Sequence, residues 1–176
     1  DEISKLVHAS EHGDDSVLKQ FEGAYQPVLD GMLETLSRLG IEFDTFTKES
    51  KFVVDGTVSA LMDRLSSLEI HDSADNGAHF LDLGQRGLKG KTDFFYRRGD
   101  GSSLYATRDI AYHMWKWQQC DELINVLGED HKLQAKQVGL TLQELGERIP
   151  DVMFYAFIKL PEGKMSARKG NVVFMD

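Results

Sequence analysis

Apolar side chains recur with a helical period from Ser16 to Leu39, at Val17, Leu18, Phe21, Tyr25, Val28, Leu29, Met32, Leu33, Leu36 and Leu39, and Gly40 supplies a stop. Pro27 interrupts the run. Proline lacks the amide hydrogen and crowds the turn before it, so a break or a fresh helix start is expected there. The alternation of Ile41, Phe43, Thr45 and Thr47, with Phe46 on the other face, predicts a short strand. A second helix is predicted over Lys51 to Leu68, with Phe52, Val58, Leu61, Leu65 and Leu68 turned inward.

Residues 68–71 and 78–83 flank Asn76-Gly77, which is turn chemistry, and read as paired strands. Gly84 to Gly90 reads as a flexible linker, and a domain boundary is expected there. Beyond it the pattern predicts a strand over residues 92–97, a Gly/Asp/Ser turn to Ser103 and a helix over 104–119. Thr107 is expected to cap that helix, and Ile110, Ala111, Met114 and Trp117 form its apolar stripe. Leu123 to Leu127 is a compact apolar run entering Gly128, expected to be a buried parallel strand; a helix over 132–145 and strands at 152–158 and 172–174 follow. The expected class is α/β: residues 91–176 form part of a doubly wound parallel, Rossmann-like domain, preceded by an α+β region over residues 1–90. In such sheets ligands gather at the C-terminal ends of strands, here residues 128–131 and 159–170.

Composition narrows the picture. A hydrophobic content of 41% and a mean hydropathy of -0.35 fit a soluble globular chain, with no run long enough for a membrane span and neither the basic nor the apolar region of a signal peptide at the start. One cysteine, Cys120, excludes an internal disulfide and fits a reducing compartment. The six histidines lie scattered, so no structural zinc is expected; His71 and His79 flank the predicted hairpin turn and read as surface residues rather than a metal pair. The net charge of -9 is unevenly placed: residues 1–90 hold 17 Asp and Glu against 8 Lys and Arg, whereas residues 91–176 hold 12 of each. Phosphate neutralisation dominates nucleic-acid affinity, so the first half is not expected to carry the main contact to a nucleic acid.

Against that acidic background Lys164-Met165-Ser166-Ala167-Arg168-Lys169-Gly170 puts three cations in six residues beside Gly163 and Gly170. Glycines let backbone N–H groups approach an anion and the cations supply charge, so the loop suits a polyphosphate; on composition alone a solvated basic turn is an equal reading. Upstream stands Asp100-Gly101-Ser102-Ser103-Leu104-Tyr105-Ala106-Thr107-Arg108-Asp109, and between the two lies Leu123-Ile124-Asn125-Val126-Leu127-Gly128-Glu129-Asp130-His131. On residues alone, Tyr105 reads as core and Asp109 as a charge favouring the helix dipole, or the pair, four apart, as one polar face for a cation.

The three stretches, in this order, resemble the arginyl-tRNA synthetases, which are class I aminoacyl-tRNA synthetases. Phe43-Asp44 and Glu49-Ser50 resemble the stretch found there between the two catalytic halves. The resemblance implies ATP-dependent activation of L-arginine to arginyl-adenylate and transfer to tRNA(Arg), with ATP and its Mg2+ as substrate, in the cytoplasm. It implies catalytic roles for Lys164, Ser166 and Arg168 on the departing pyrophosphate. Tyr105, Asp109 and His131 would contact arginine, while Gly128, Asp130, Lys164, Met165, Ser166, Arg168 and Lys169 would contact ATP. Ala167 departs from the class I Lys-Met-Ser-Lys-Ser pattern, whose second lysine it replaces, with Arg168 or Lys169 as substitutes. No His-x-Gly-His element is present and no helical anticodon-binding region follows the basic loop. The chain is therefore expected to be a fragment, residues 1–90 being the insertion between catalytic halves, and inactive alone. The competing expectation is a free-standing nucleotide- or arginine-binding module.

Overall fold

The computed structural model describes residues 2–156, 159–160, 163–165, 170 and 172–173. Its longest element is α2 (Asp15–Arg38), which follows α1 (Glu2–Glu11) and begins where the Asp14 carboxylate accepts from the backbone N–H groups of Ser16 and Val17. The break expected at Pro27 does not occur. Proline removes one amide donor and leaves the carbonyl of Gly23 without its helical partner, but both residues are exposed, so water can serve that carbonyl.

The strand predicted over residues 41–47 is absent as well. Alternation makes a strand only where an edge is available to pair with, and this stretch runs exposed, with Phe43 packed on Phe46 at 5.3 Å between ring centroids. The single helix expected from Lys51 is two, α3 (Ser50–Val54) and α4 (Thr57–Ser66). They part at Gly56, whose φ of 81° no helix can accommodate. Of the expected inward face, Phe52, Val58, Leu61 and Leu65 are buried, while Leu68, beyond the end of α4, is partly buried against the same core.

An antiparallel sheet of β1 (His71–Ser73), β2 (His79–Asp82) and β3 (Asp93–Arg97) receives these helices. Register places buried Leu81 opposite buried Phe94 and His79 opposite Arg97, with an irregularity between His79 and Phe80. Residues 84–90 are not a loose linker. Leu83–Arg86 is a 3-10 turn, Leu83 and Leu88 are buried, and the strand after the stretch pairs with the strand before it. At the rim of the sheet two turns meet so closely that a Cβ on Gly99 would lie 2.3 Å from the carbonyl oxygen of Asn76.

Helix α5 (Tyr105–Lys116) lies at the centre of the molecule, packed on α3, α4, β3 and α6 (Lys132–Glu144). Thr107 does not cap it. The helix starts two residues earlier, and the buried Thr107 hydroxyl donates instead to the Tyr96 carbonyl of β3, so a local signal for a cap is overridden by a tertiary acceptor. One hydrophobic core runs from Phe52 through Leu65, Leu81, Tyr96 and Ile110 to Leu142.

The second sheet joins β4 (Ile124–Gly128) to β5 (Asp151–Tyr155) in parallel, Asn125 opposite Val152, through a 3-10 turn (Glu129–His131) and α6. Parallel pairing with a helical crossover is the predicted α/β unit. Full burial of β4 is not found: Ile124 and Val126 are 57% and 62% exposed, because only the face carrying Asn125 and Leu127 is covered. Beyond β5, β6 (Lys159–Leu160) and β7 (Gly163–Lys164) form a short antiparallel pair leading into the basic loop. Among the described residues no helix is long and apolar enough to cross a membrane.

Candidate functional site

Helical geometry brings residues i, i+3, i+4 and i+7 to one face, and on α5 that face reads Asp109, Tyr112, His113 and Lys116. Opposite it stand Asn125 and Leu127 of β4, His131 of the 3-10 turn and Gln134 of α6, with Glu49, the residue before α3, at one side. Together they line a cavity of about 270 Å³. It runs along the covered face of β4, from His131 beyond that strand's C-terminal end to Ile149 and Pro150 just before β5.

A chain of hydrogen bonds runs along one wall. Lys116 Nζ donates to Asn125 Oδ1 at 3.0 Å, Asn125 Nδ2 lies 2.7 Å from His113 Nε2, and His113 Nδ1 lies 2.7 Å from the Asp109 carbonyl oxygen and 3.3 Å from its carboxylate. An ammonium has only donors, so the asparagine must turn its oxygen toward Lys116 and its amide N–H toward the histidine. His113 Nε2 is then the acceptor, and Nδ1 faces the Asp109 carbonyl oxygen as donor. Lys116 is held below its ordinary pKa by burial, while the Asp109 charge pulls the other way. Its ammonium lies 4.6 Å from the ring centroid of Tyr112.

Of the residues singled out from sequence, Asp109 and His131 share this cavity. Tyr105 stands one turn before Asp109 on α5 but is 61% exposed and outside the cavity lining. Gly128 is buried at the end of β4, where a Cβ would come within 2.7 Å of the Asp130 carboxylate, so the bare backbone makes room for that side chain. Asp130 is solvent-facing, 3.9 Å from His131 Nε2, and His131 Nδ1 meets Gln134 at 3.1 Å. Met165 is exposed; Ser166, Arg168 and Lys169 lie outside the described residues, as does Ala167, and of Lys164 only the backbone, in β7, is described.

Sequence reasoning missed Tyr112, His113, Lys116, Asn125, Gln134 and Glu49. The α5 residues were detectable, since Asp109 to Lys116 repeat at helical spacing. Asn125 was masked by the apolar run around it. Among the described residues no group of three or more His, Cys, Asp or Glu is placed to hold a metal ion; His71 and His79 pair with each other, Nε2 to Nδ1 at 3.0 Å.

No protein-family model matches the chain. Curated relatives do. The arginine-tRNA ligase of Methanocella arvoryzae is 43% identical over 176 residues, 99% of this chain and 31% of the relative. That of Methanocaldococcus jannaschii is 44% identical over 175 residues, 99% of this chain and 30% of the relative. In fold, a Campylobacter jejuni protein assigned as an arginyl-tRNA synthetase superposes with a TM-score of 0.70 at 22% identity, covering 92% of this chain and 36% of that one. The chain thus spans about 30% of the length of the curated relatives it matches. With near-complete coverage at this identity, the three sequence motifs and the shared fold, the chain belongs to the arginine-tRNA ligase family.

Proposed function

We propose that this chain supplies the arginine-recognition wall and the second phosphate-binding loop of an arginyl-tRNA synthetase. The observation that carries the reading is Asp109 in the lining of the 270 Å³ cavity, which Glu49 and His131 also line. A guanidinium presents parallel N–H groups that a carboxylate accepts in pairs, and two acidic side chains against one lysine leave the cavity suited to a cation. Tyr105, one turn before Asp109 on α5, serves as a hydrogen-bonding wall for the arginine side chain.

In the proposed reaction the arginine carboxylate attacks the α-phosphate of ATP, the bond to the β-phosphate breaks, and arginyl-adenylate and pyrophosphate result. The arginyl group then passes to tRNA(Arg). The protein positions the reactants and neutralises charge rather than forming covalent bonds. ATP, with its Mg2+, lies against Gly128 and Asp130 at the end of β4, Asp130 accepting from the ribose hydroxyls. Lys164, Ser166, Arg168 and Lys169, with the backbone at Met165, hold the phosphates. This assigns residues 91–176 to the second half of a Rossmann-like, doubly wound catalytic domain and residues 1–90 to the acidic insertion before it, in a cytoplasmic enzyme. Alone, the chain holds one side of the site and activates nothing.

The test is Asp109→Ala in the intact ligase, by arginine-dependent pyrophosphate exchange. Loss of a charge-assisted pair raises the KM for arginine by roughly 10- to 100-fold and leaves that for ATP nearly unchanged. Equal effects on both substrates refute the guanidinium assignment.

A further inference from the structure

Among the described residues, the buried side-chain polar atoms without a hydrogen-bond partner are Tyr96 Oη and Arg97 Nε, on neighbouring residues of β3. Buried donors are paired almost without exception in folded proteins, so these two ask for an acceptor. Tyr96 is wholly buried and beyond reach of a large ligand, whereas Arg97 is only partly covered. The register explains the contrast: Phe80 stands opposite Phe95 and His79 opposite Arg97, so Tyr96 is the extra residue of a bulge, a device that re-aims the side chain beside it. Arg97 pairs with no carboxylate among the described residues, and its guanidinium makes no hydrogen bond there, whereas Arg64, Arg86 and Arg108 each meet a glutamate.

The turn that follows keeps a second guanidinium in place. Arg98 Nη1 donates to Ser102 Oγ at 3.1 Å and to the Ser103 carbonyl at 2.8 Å, and its other N–H groups bond to nothing among the described residues. The carboxylate of this turn, Asp100, accepts from the Ser102 N–H at 2.9 Å and from its hydroxyl at 2.6 Å, so it serves the turn itself. Gly101 has a φ of 89°, and a Cβ there would press on Arg97 Nη2 at 3.4 Å, so glycine leaves that nitrogen clear. Two arginines against one aspartate give residues 97–103 a positive charge in a chain of net charge -9. We infer that Arg97 and Arg98 form an oxyanion site whose ligand is a phosphodiester of tRNA(Arg) near its acceptor end; the inference rests on the aminoacylation reading above. A guanidinium offers a phosphate paired N–H groups. The place fits as well, since this turn leads through Leu104 into Tyr105 and Asp109 at the start of α5, the wall to which a tRNA end must come to receive the arginyl group.

The test measures the Kd of the intact ligase for tRNA(Arg) over a series of KCl concentrations, with KM for arginine and ATP and thermal melting, in wild type, Arg97→Met, Arg97→Lys and Arg98→Gln. A phosphate contact releases counterions, so losing one lowers the slope of log Kd against log salt by about 0.7–0.9, which a purely structural role does not do. Arg97→Met and Arg98→Gln are each expected to lower the slope by that amount and to raise Kd about tenfold near 0.1 M salt, with both KM values within about twofold of wild type. Arg97→Lys keeps the charge and is expected to keep the wild-type slope. If the slope is unchanged in both Arg97→Met and Arg98→Gln, whatever happens to the melting temperature, the site is refuted. If the ATP KM rises about tenfold while the tRNA slope stays as in wild type, the oxyanion is that of a free polyphosphate and the tRNA assignment is refuted. If the wild-type ligase charges no tRNA(Arg), the aminoacylation reading falls and the inference with it; if it does charge tRNA and the slopes do not move, the inference alone falls.

Discussion

Replacing Arg108 with methionine removes the guanidinium and its charge while keeping an unbranched stem. In the structure Arg108 Nη1 meets Glu11 Oε2 at 2.7 Å and Ser103 Oγ at 3.2 Å, and its Nε lies 3.4 Å from Glu49. The magnitude depends on shelter. Arg108 and Glu11 are 17% and 14% exposed, more sheltered than surface pairs, which contribute about 0–1 kcal/mol. They are not fully buried either, where orphaning one partner costs about 3–5 kcal/mol. The Glu49 arm, with that carboxylate 50% exposed, adds little. Arg108→Met should therefore destabilise the chain by about 2 kcal/mol, which for a domain of this size lowers the melting temperature by roughly 4–8 °C. Since α1 has no buried residue of its own, its amides should also lose hydrogen-exchange protection before those of α5. A double-mutant cycle with Glu11→Gln isolates the pair, with an expected coupling of about 1–2 kcal/mol. Additive single changes, or a loss under about 0.5 kcal/mol for Arg108→Met, would show that the ion pair does not hold α1 in place.

Two further changes probe the core and the antiparallel sheet. Thr107→Val deletes the hydroxyl that donates to the Tyr96 carbonyl, but that carbonyl keeps the Leu104 N–H at 3.1 Å, so urea unfolding should show a loss near 1 kcal/mol; more than about 3 kcal/mol contradicts this account. His79 is held below its ordinary pKa of 6.5 chiefly by burial, then by the charges of Arg97 and His71. The unfolded chain takes up that proton first, so the contribution of this site is intact above about pH 6.5 and declines as pH falls below it. Melting temperatures at about pH 7.5 and 5.5 should differ less in His79→Gln than in wild type; an equal or larger difference argues against it.

Elements defined by their own periodicity were legible in the sequence. The apolar faces of α4 and α5, the Asn76-Gly77 turn, the parallel β4 and the crossover helix α6 emerge from spacing alone because burial of one face selects the same repeat that builds the element. The errors fall where a rule of local propensity met a fact about surroundings. Pro27 sits in an unbroken helix because its turn faces water. Residues 41–47 alternate like a strand but have no edge to join, and Thr107 has the chemistry of a cap but bonds to another element. At the site, Asp109 and His131 were reached through motif resemblance, whereas Asn125 could not be, since an amide within Leu123–Leu127 carries no sign of what it faces.

By itself, then, the sequence determined the inward faces of α4 and α5, the succession of β3, α5, β4, α6 and β5, and the family, since each of these is written in spacing and motif along the chain. Only the tertiary structure decided that one core runs across residues 84–90, that β4 keeps an uncovered apolar face, and that Lys116, Asn125 and His113 join in one chain of hydrogen bonds between α5 and β4. A hydrogen bond between side chains on different elements depends on the register and crossing of those elements, which packing of the whole core sets and no local repeat encodes.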